Sequence, residues 1–83
     1  MIYNIYSIRD HWTGYMPPTY DVNDASAMRN FRHAMMVGDS VFVTHKEDFS
    51  LYRLGTFNTE TGEINIEETG VLIDSGLNGK EHN

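Results

Sequence analysis

The chain has 83 residues and a formal net charge of −6, and 40% of its residues are hydrophobic and 12% aromatic. A chain of this length builds one core, since it buries only about 60% of the surface that its unfolded form exposes, and its apolar content excludes intrinsic disorder. The absence of cysteine excludes disulfides and thiolate metal sites. Self-association is the remaining aid to stability, and we expect a homo-oligomer, most simply a dimer.

All of the net charge lies in the second half of the chain. Residues 1–46 carry four basic and four acidic side chains, whereas residues 47–83 carry two and eight. Because DNA binding depends on Lys and Arg that neutralise phosphates, this balance disfavours strong DNA binding by a monomer, although a local basic surface on the neutral half stays open. No apolar run is long enough to cross a bilayer and no secretory signal begins the chain, so we expect no membrane contact and a cytoplasmic location.

The N-terminal segment is predicted to form a hairpin with a ragged edge. β-Branched and aromatic residues at 2–8 favour a strand, and residues 15–20 can return as a second one. Pro17 and Pro18 have no N–H to donate, so this second strand must lie at an edge of the sheet or break up.

A helix is predicted from an N-cap at Asn23 to about Met36, with Gly38 as the stop signal. Apolar residues recur along it at the spacing that gathers them on one stripe, and polar residues gather opposite. The stripe consists of Ala27, Met28, Phe31, Ala34 and Met35. It requires a sheet to pack on.

The second half is predicted to be mainly strand. Residues 49–57 and 63–67 pair as a hairpin, closed by a loop in which Gly62 takes the left-handed conformation. Residues 40–44 and 71–73 are shorter strand-like runs. Regular alternation along the first hairpin strand predicts one face with Phe49, Leu51, Arg53, Gly55 and Phe57, and another with Tyr52 and Leu54.

These elements predict an α+β fold of order ββαββ, in which an antiparallel sheet of about four strands carries the single helix on one face. The domain is expected to span residues 1–74, with residues 75–83 as a flexible C-terminal tail. Because both faces of the second hairpin carry apolar groups, we expect self-association through an exposed strand or through the face that the helix leaves uncovered.

No pattern in the chain is typical of catalysis, a metal site or a cofactor site. The four histidines, at 11, 33, 45 and 82, lack ligand spacing. Ser7, Asp10 and His11 do not form a nucleophile relay, because adjacent residues of a strand point to opposite faces. The glycines never take phosphate-loop spacing. We therefore expect a protein that is not an enzyme, holds no cofactor and acts by binding.

The candidate contact residues combine cations with large exposed side chains. Arginines and a histidine on the polar helix face can grip phosphates or form a solvated surface for a protein partner, and the acidity of the chain favours the second interpretation. A tryptophan can stack on a base, and a methionine at the helix edge can form an adaptable contact. Exposed tyrosines at 3, 15, 20 or 52 would also indicate a contact surface. The candidates are Arg29, Arg32, His33, Trp12, Met36 and Arg53.

Three segments, residues 23–31, 45–57 and 61–64, resemble the small nonstructural protein of gokushovirus-type microviruses, which are phages with single-stranded circular DNA. The middle segment, an acidic residue followed by Phe-x-Leu-Tyr-x-Leu-Gly-x-Phe, is the most specific, and the resemblance covers about residues 2–67. Arg29 is the matched charged position, while the turn at Trp12 and the pair Met35–Met36 depart from the family. Matched positions of structural type are Phe31, Phe49, Leu51, Tyr52, Leu54, Gly55, Phe57 and Gly62.

The resemblance implies an accessory role in the host cytoplasm, in viral single-stranded DNA synthesis or packaging. Its expected partners are phage replication or capsid-assembly proteins, with single-stranded DNA as a further candidate, and it brings no catalytic residues. The alternative is an acidic module that inhibits or redirects a host protein, with the Glu-rich C-terminal hairpin facing a basic site.

Overall fold

The structure, a computed structural model, describes residues 1–38 and 40–76. This part of the chain forms an antiparallel sheet with helices on one face, which confirms the predicted α+β class. The strands are β1 Ile2–Asp10, β2 Gly14–Tyr15, β3 Thr19–Asp21, β4 Phe49–Asn58 and β5 Ile64–Ser75, and the helices are α1 Asp24–Ala34 and α2 Val41–Thr44, with a 3-10 turn at Lys46–Asp48.

The sheet is built around β1 and β4, which pair along nearly their whole length. β5 lies on the other side of β4, while β2 and β3 share the other side of β1. Pro17 and Pro18 separate these two short strands, as the missing N–H groups predict. The expected ragged edge is confirmed.

Helix α1 begins at its predicted cap. The Asn23 side chain accepts a hydrogen bond from the backbone N–H of Ser26 at 2.8 Å, and Asp24 in the first turn interacts favourably with the helix dipole. The helix ends at Ala34, slightly before the predicted end. Ala27, Phe31 and Met35 of its apolar stripe pack on β1 and β4, in a buried core completed by Tyr6, Phe49 and Leu51. Met28, which was predicted on the stripe, lies outside this core.

The prediction of a strand at residues 40–44 is wrong, because Val41–Thr44 forms the short helix α2. The Phe42 ring packs edge-on against Phe49 with 4.7 Å between ring centroids. This tertiary contact overrides the strand preference of a Val-Phe-Val run, which is too short for its periodicity to distinguish helix from strand.

A bulge in β4 reverses part of the predicted alternation. Ile5 of β1 lies opposite Gly55 and the next residue, Tyr6, lies opposite Arg53, so Leu54 is one extra residue. One extra residue exchanges the two faces beyond it. Gly55 and Phe57 therefore face away from the helix, and their predicted place on the face of Phe49 is wrong.

The last strand is longer than predicted. The two expected pieces, at 63–67 and 71–73, belong to one strand that extends to Ser75 and pairs with β4 on both sides of an irregularity. The predicted tail therefore begins inside β5, and Gly76 after it is buried. Residues 77–83 of that tail lie outside the described part of the chain.

Candidate functional site

The outward-facing side of α1 brings together four of the six predicted contact residues. Arg29, Arg32, His33 and Met36 line one shallow depression, together with Ala25 and Met28. They gather there because residues three and four apart lie on the same side of a helix. Met36 is 72% exposed and His33 and Arg29 are exposed. We call Ala25, Met28, Arg29, Arg32, His33 and Met36 the outer helix surface.

Within the outer helix surface, Arg32 is engaged inside the protein. Its Nε donates to Asp74 Oδ2 at 2.7 Å, and the Asp74 side chain on β5 is buried. The hydrogen bond from Arg32 to Asp74 raises the pKa of Arg32. This pair joins α1 to the edge strand of the sheet, so Arg29 is left as the arginine of this surface that faces solvent, next to the exposed His33 imidazole.

Arg53 lies on a different part of the molecule, beneath the start of α1. Its Nη1 donates to Asp24 Oδ2 at 2.6 Å and its Nε donates to Glu67 Oε1 at 3.3 Å. The Tyr6 hydroxyl donates to the other Asp24 oxygen at 2.6 Å and accepts from the Asn4 amide at 2.9 Å. We call these five residues the polar network.

The polar network shifts the pKa values of its members in the directions that stabilise it. The hydrogen bond from Tyr6, and then the guanidinium of Arg53, hold the pKa of Asp24 below its usual value. Burial, and then the hydrogen bond to Asp24, raise the pKa of Tyr6 to about 12. The network joins α1 to β1, β4 and β5, so its place in the fold gives Arg53 a structural role.

Trp12 lies in the turn between β1 and β2, on an element separate from α1, and is 82% exposed. Its backbone N–H donates to Asp10 Oδ1 at 2.9 Å. The neighbouring His11 is linked through its Nε2 to Ser50 Oγ at 2.9 Å, and its backbone N–H donates to the Asp48 carbonyl. The turn is therefore anchored while its indole ring projects into solvent.

The second contact surface is the face of the sheet opposite α1. Register and alternation place here four of the five tyrosines and a set of aliphatic and aromatic side chains. In residues 1–38 and 40–76, both helices pack on the other face. We call it the open sheet face, and it consists of Tyr3, Ile5, Tyr15, Tyr20, Tyr52, Leu54, Phe57, Ile64, Ile66 and Leu72.

Aromatic side chains of the open sheet face contact one another across the strands. Tyr3 and Tyr20 pair edge-on at 5.1 Å between ring centroids, and Tyr15 and Tyr52 do so at 5.6 Å. Arg9 Cζ lies 5.8 Å from the centroid of the Tyr15 ring. Such rigid tyrosines, apolar along the ring and polar at the tip, are typical of interfaces. The six candidate residues leave this surface out, although the sequence had indicated exposed tyrosines and an uncovered sheet face as features of a contact surface.

The groups that suggested other chemistry have ordinary hydrogen bonds. Ser7 Oγ donates to the Met16 carbonyl at 2.6 Å, while His11 and Asp10 bond elsewhere. Thr44 Oγ1 lies 2.8 Å from His45 Nδ1. Within the described ranges no three His, Asp or Glu side chains are grouped to hold a metal ion, and His82 lies outside them. In the same ranges no helix has the length and apolar content that a bilayer span requires.

The fold and its two exposed surfaces define a small α+β protein whose candidate functional features are contact surfaces. A family model described as Phage ORF5 protein matches residues 3–79. The chain belongs to this family and is a phage protein. This confirms that the segments at 23–31 and 45–57 resemble a phage protein. The match is to a phage family and does not single out the gokushovirus-type microviruses. No curated protein and no solved structure matches the sequence.

Proposed function

We propose that this protein is a non-enzymatic accessory factor of a gokushovirus-type microvirus. In this proposal it acts in the host cytoplasm, in viral single-stranded DNA synthesis or packaging, through contacts with phage replication or capsid-assembly proteins. The family match over residues 3–79 supports a phage accessory role. The single structural observation that carries the proposal is the outer helix surface, where Arg29, His33 and Met36 are exposed together on an otherwise acidic chain.

The chemistry of the outer helix surface fits a protein partner. It combines the solvent-facing Arg29 guanidinium and the His33 imidazole with the apolar side chains of Met28 and Met36, and methionine adapts its shape to a partner surface. The Arg29 guanidinium favours an acidic site on that partner and gives the encounter an orientation. A contact of this kind needs a positioned surface and no reactive group.

Direct DNA binding has weaker support from the charges. Of the cations predicted to contact phosphate, Arg32 and Arg53 are bound to Asp74, Asp24 and Glu67 inside the protein. Arg29 also lies near Asp21. Desolvation would raise the pKa of Asp21, but hydrogen bonds from the Val22 N–H and from two side chains, together with the charge of Arg29, lower this pKa below its usual value. Since a monomer with a net charge of −6 repels polynucleotides, a protein partner is favoured over DNA.

The test in infected cells compares Arg29→Glu with Lys46→Glu. Both variants change the net charge equally, but Lys46 lies in the 3-10 turn and not on the outer helix surface. We expect Arg29→Glu to lower the amounts of viral single-stranded DNA and of filled capsids relative to duplex viral DNA, and Lys46→Glu to leave both near wild type. Equal effects of the two variants, or none, would contradict the proposal.

A binding measurement with the purified chain separates protein contact from DNA contact. Single-stranded oligonucleotide is titrated at low and moderate salt with wild type, Arg29→Ala and Lys46→Ala. For a protein partner we expect no saturable binding at low salt. Saturable binding with a steep salt dependence, weakened by Arg29→Ala alone, would assign the outer helix surface to DNA.

The alternative, an acidic module directed at a host protein, has one observation in its favour. Glu60, Glu63 and Glu68 of the β4–β5 hairpin are exposed, whereas Glu67 and Asp74 are paired with arginines. Replacing the three exposed glutamates by glutamine would weaken the binding of a basic partner protein but leave a contact at Arg29 intact. Partner binding that survives this triple change and is lost in Arg29→Glu supports the first proposal.

A further inference from the structure

The open sheet face exposes more apolar surface than an isolated small domain usually carries. Five of its side chains, Tyr15, Tyr20, Ile64, Ile66 and Leu72, are exposed to between 51% and 82%. With roughly 200 Å² for a fully exposed large side chain, these five expose on the order of 600 Å². That is already at the upper end, about 300–600 Å², of the largest patch on a monomer.

The remaining members of the face bring the area close to that of a stable dimer. Tyr3, Ile5, Tyr52, Leu54 and Phe57 are each partly exposed on the same side of the sheet. A standard interface buries about 800 Å² from each partner. The open sheet face can therefore supply most of one dimer interface without rearrangement of the fold.

The charges of this face indicate which partner fits it. Among the described residues, alternation places only Arg9 and Glu68 as charged side chains on this side of the sheet. The face is thus close to neutral, although the whole chain carries −6. A nucleic-acid strand would find aromatic rings here but too few cations to neutralise its phosphates. A surface that is apolar, rigid and neutral fits another copy of itself.

We propose that two copies of this chain pack through their open sheet faces to form a β-sandwich dimer. In such a dimer the two sheets lie about 10 Å apart and the facing side chains interdigitate as a common core. A two-fold axis makes the same residues serve both partners. Both copies of α1 then lie on the outside, so the outer helix surface stays accessible twice. This inference does not depend on the proposed function.

The first experiment measures the mass of the full chain by sedimentation equilibrium over a range of concentrations. We expect a wild-type dimer, and we expect Ile66→Lys and Ile66→Glu each to raise the dissociation constant at least about 30-fold, as for loss of a hot-spot residue. Met36→Lys changes an apolar residue of similar exposure, 72% against 82% for Ile66, on the outer helix surface. It should change the constant less than about threefold. A monomeric wild type, or equal effects at positions 36 and 66, would overturn the proposal.

The opposite charges at position 66 also test DNA as the occupant. A dimer interface is weakened by either charge, whereas oligonucleotide binding would be strengthened by Lys and weakened by Glu. If the protein is a monomer, and its oligonucleotide affinity rises with Ile66→Lys and falls with Ile66→Glu, the open sheet face is a nucleic-acid surface and the dimer proposal is wrong. Circular dichroism of each variant distinguishes loss of association from loss of the fold.

The distance between the two copies of one labelled position tests the dimer without any change in the open sheet face. The chain has no cysteine, so Met36→Cys provides a single labelling position for a nitroxide on the outer helix surface. With a helix, two sheets and a second helix stacked in layers, the two labels should be roughly 30 Å apart or more. A short distance, as expected for dimerisation through α1, would overturn the proposal even if the protein is a dimer.

Discussion

The two faces of the sheet use similar residue types in different ways. On the face beneath α1, Tyr6 and Leu51 are buried with Phe31 and Phe49, and the Tyr6 hydroxyl takes part in the polar network. On the open face, Tyr20 and Ile66 are 68% and 82% exposed. Side chains of equal hydrophobicity thus stabilise the monomer on one face and remain available for a partner on the other. A covering element, and not residue type, makes the difference.

The largest expected effect is loss of a core ring on the helix face. Phe31→Ala should lower the free energy of unfolding by about 3–5 kcal/mol, because it removes a buried aromatic ring and leaves a cavity between α1 and the sheet. Tyr20→Ala on the open face should change the stability of the monomer by less than about 1 kcal/mol. Urea denaturation at low protein concentration measures both, and equal losses would contradict the assignment of the two faces.

A smaller loss is expected at Gly55, where β5 crosses close to β4. A Cβ built on Gly55 overlaps the backbone carbonyl oxygen of Asn65, which cannot move aside as a side chain would. Gly55→Ala should therefore cost about 2–3 kcal/mol. Gly62 has φ +78° but open space around it, so Gly62→Ala should cost about 1 kcal/mol. Urea denaturation decides the order, and a larger loss at Gly62 would refute the close approach at Gly55.

The polar network should lose part of its contribution to the free energy of unfolding at alkaline pH. Because the pKa of Tyr6 rises from its ordinary value of 10.0 to about 12 in the folded protein, its contribution is complete below pH 10 and is lost as pH rises through the folded pKa. The loss should amount to about 2–3 kcal/mol. Tyr6→Phe is the control, since it should reduce this alkaline loss. An equal slope of unfolding free energy in both proteins would show that Tyr6 is not buried against Asp24.

The smallest effect distinguishes two arginines of one helix. Arg32→Ala removes a hydrogen-bonded cation from the buried Asp74 carboxylate and should cost about 1–2 kcal/mol of unfolding free energy. Arg29→Ala changes an exposed side chain and should stay within about 0.5 kcal/mol of wild type. Thermal unfolding of both variants tests this difference. A loss at Arg29 as large as at Arg32 would contradict their separation into a contact residue and a structural one.

Local patterns predicted the elements that one segment defines by itself. The Asn23 cap, the stripe of Ala27, Phe31 and Met35, and the disruption at Pro17 and Pro18 follow from short-range geometry and are present in the structure. The strand expected at 40–44 is a helix, because the contact of Phe42 with Phe49 comes from outside the segment. The exchange of faces beyond Leu54 was also missed, since a bulge shows only in the register between strands.

The candidate site also contains features that follow from local spacing and features that follow from contacts between distant segments. Helical spacing predicted Arg29, Arg32 and His33 on the polar side of the helix and Met36 at its edge, and in the structure all four line one depression. The sequence does not indicate that Arg32 and Arg53 are bound to carboxylates 42 and 29 residues away along the chain.

The sequence by itself thus determined the class of fold, the helix and its two sides, the weak N-terminal edge and the phage family, because these depend on neighbouring residues and on distinctive strings. Only the tertiary structure decided which arginines are neutralised, which way β4 turns its side chains after the bulge, and that four tyrosines share one uncovered face. Those outcomes depend on pairings between distant segments, and the free energy of each pairing is set by burial and register that no local pattern contains.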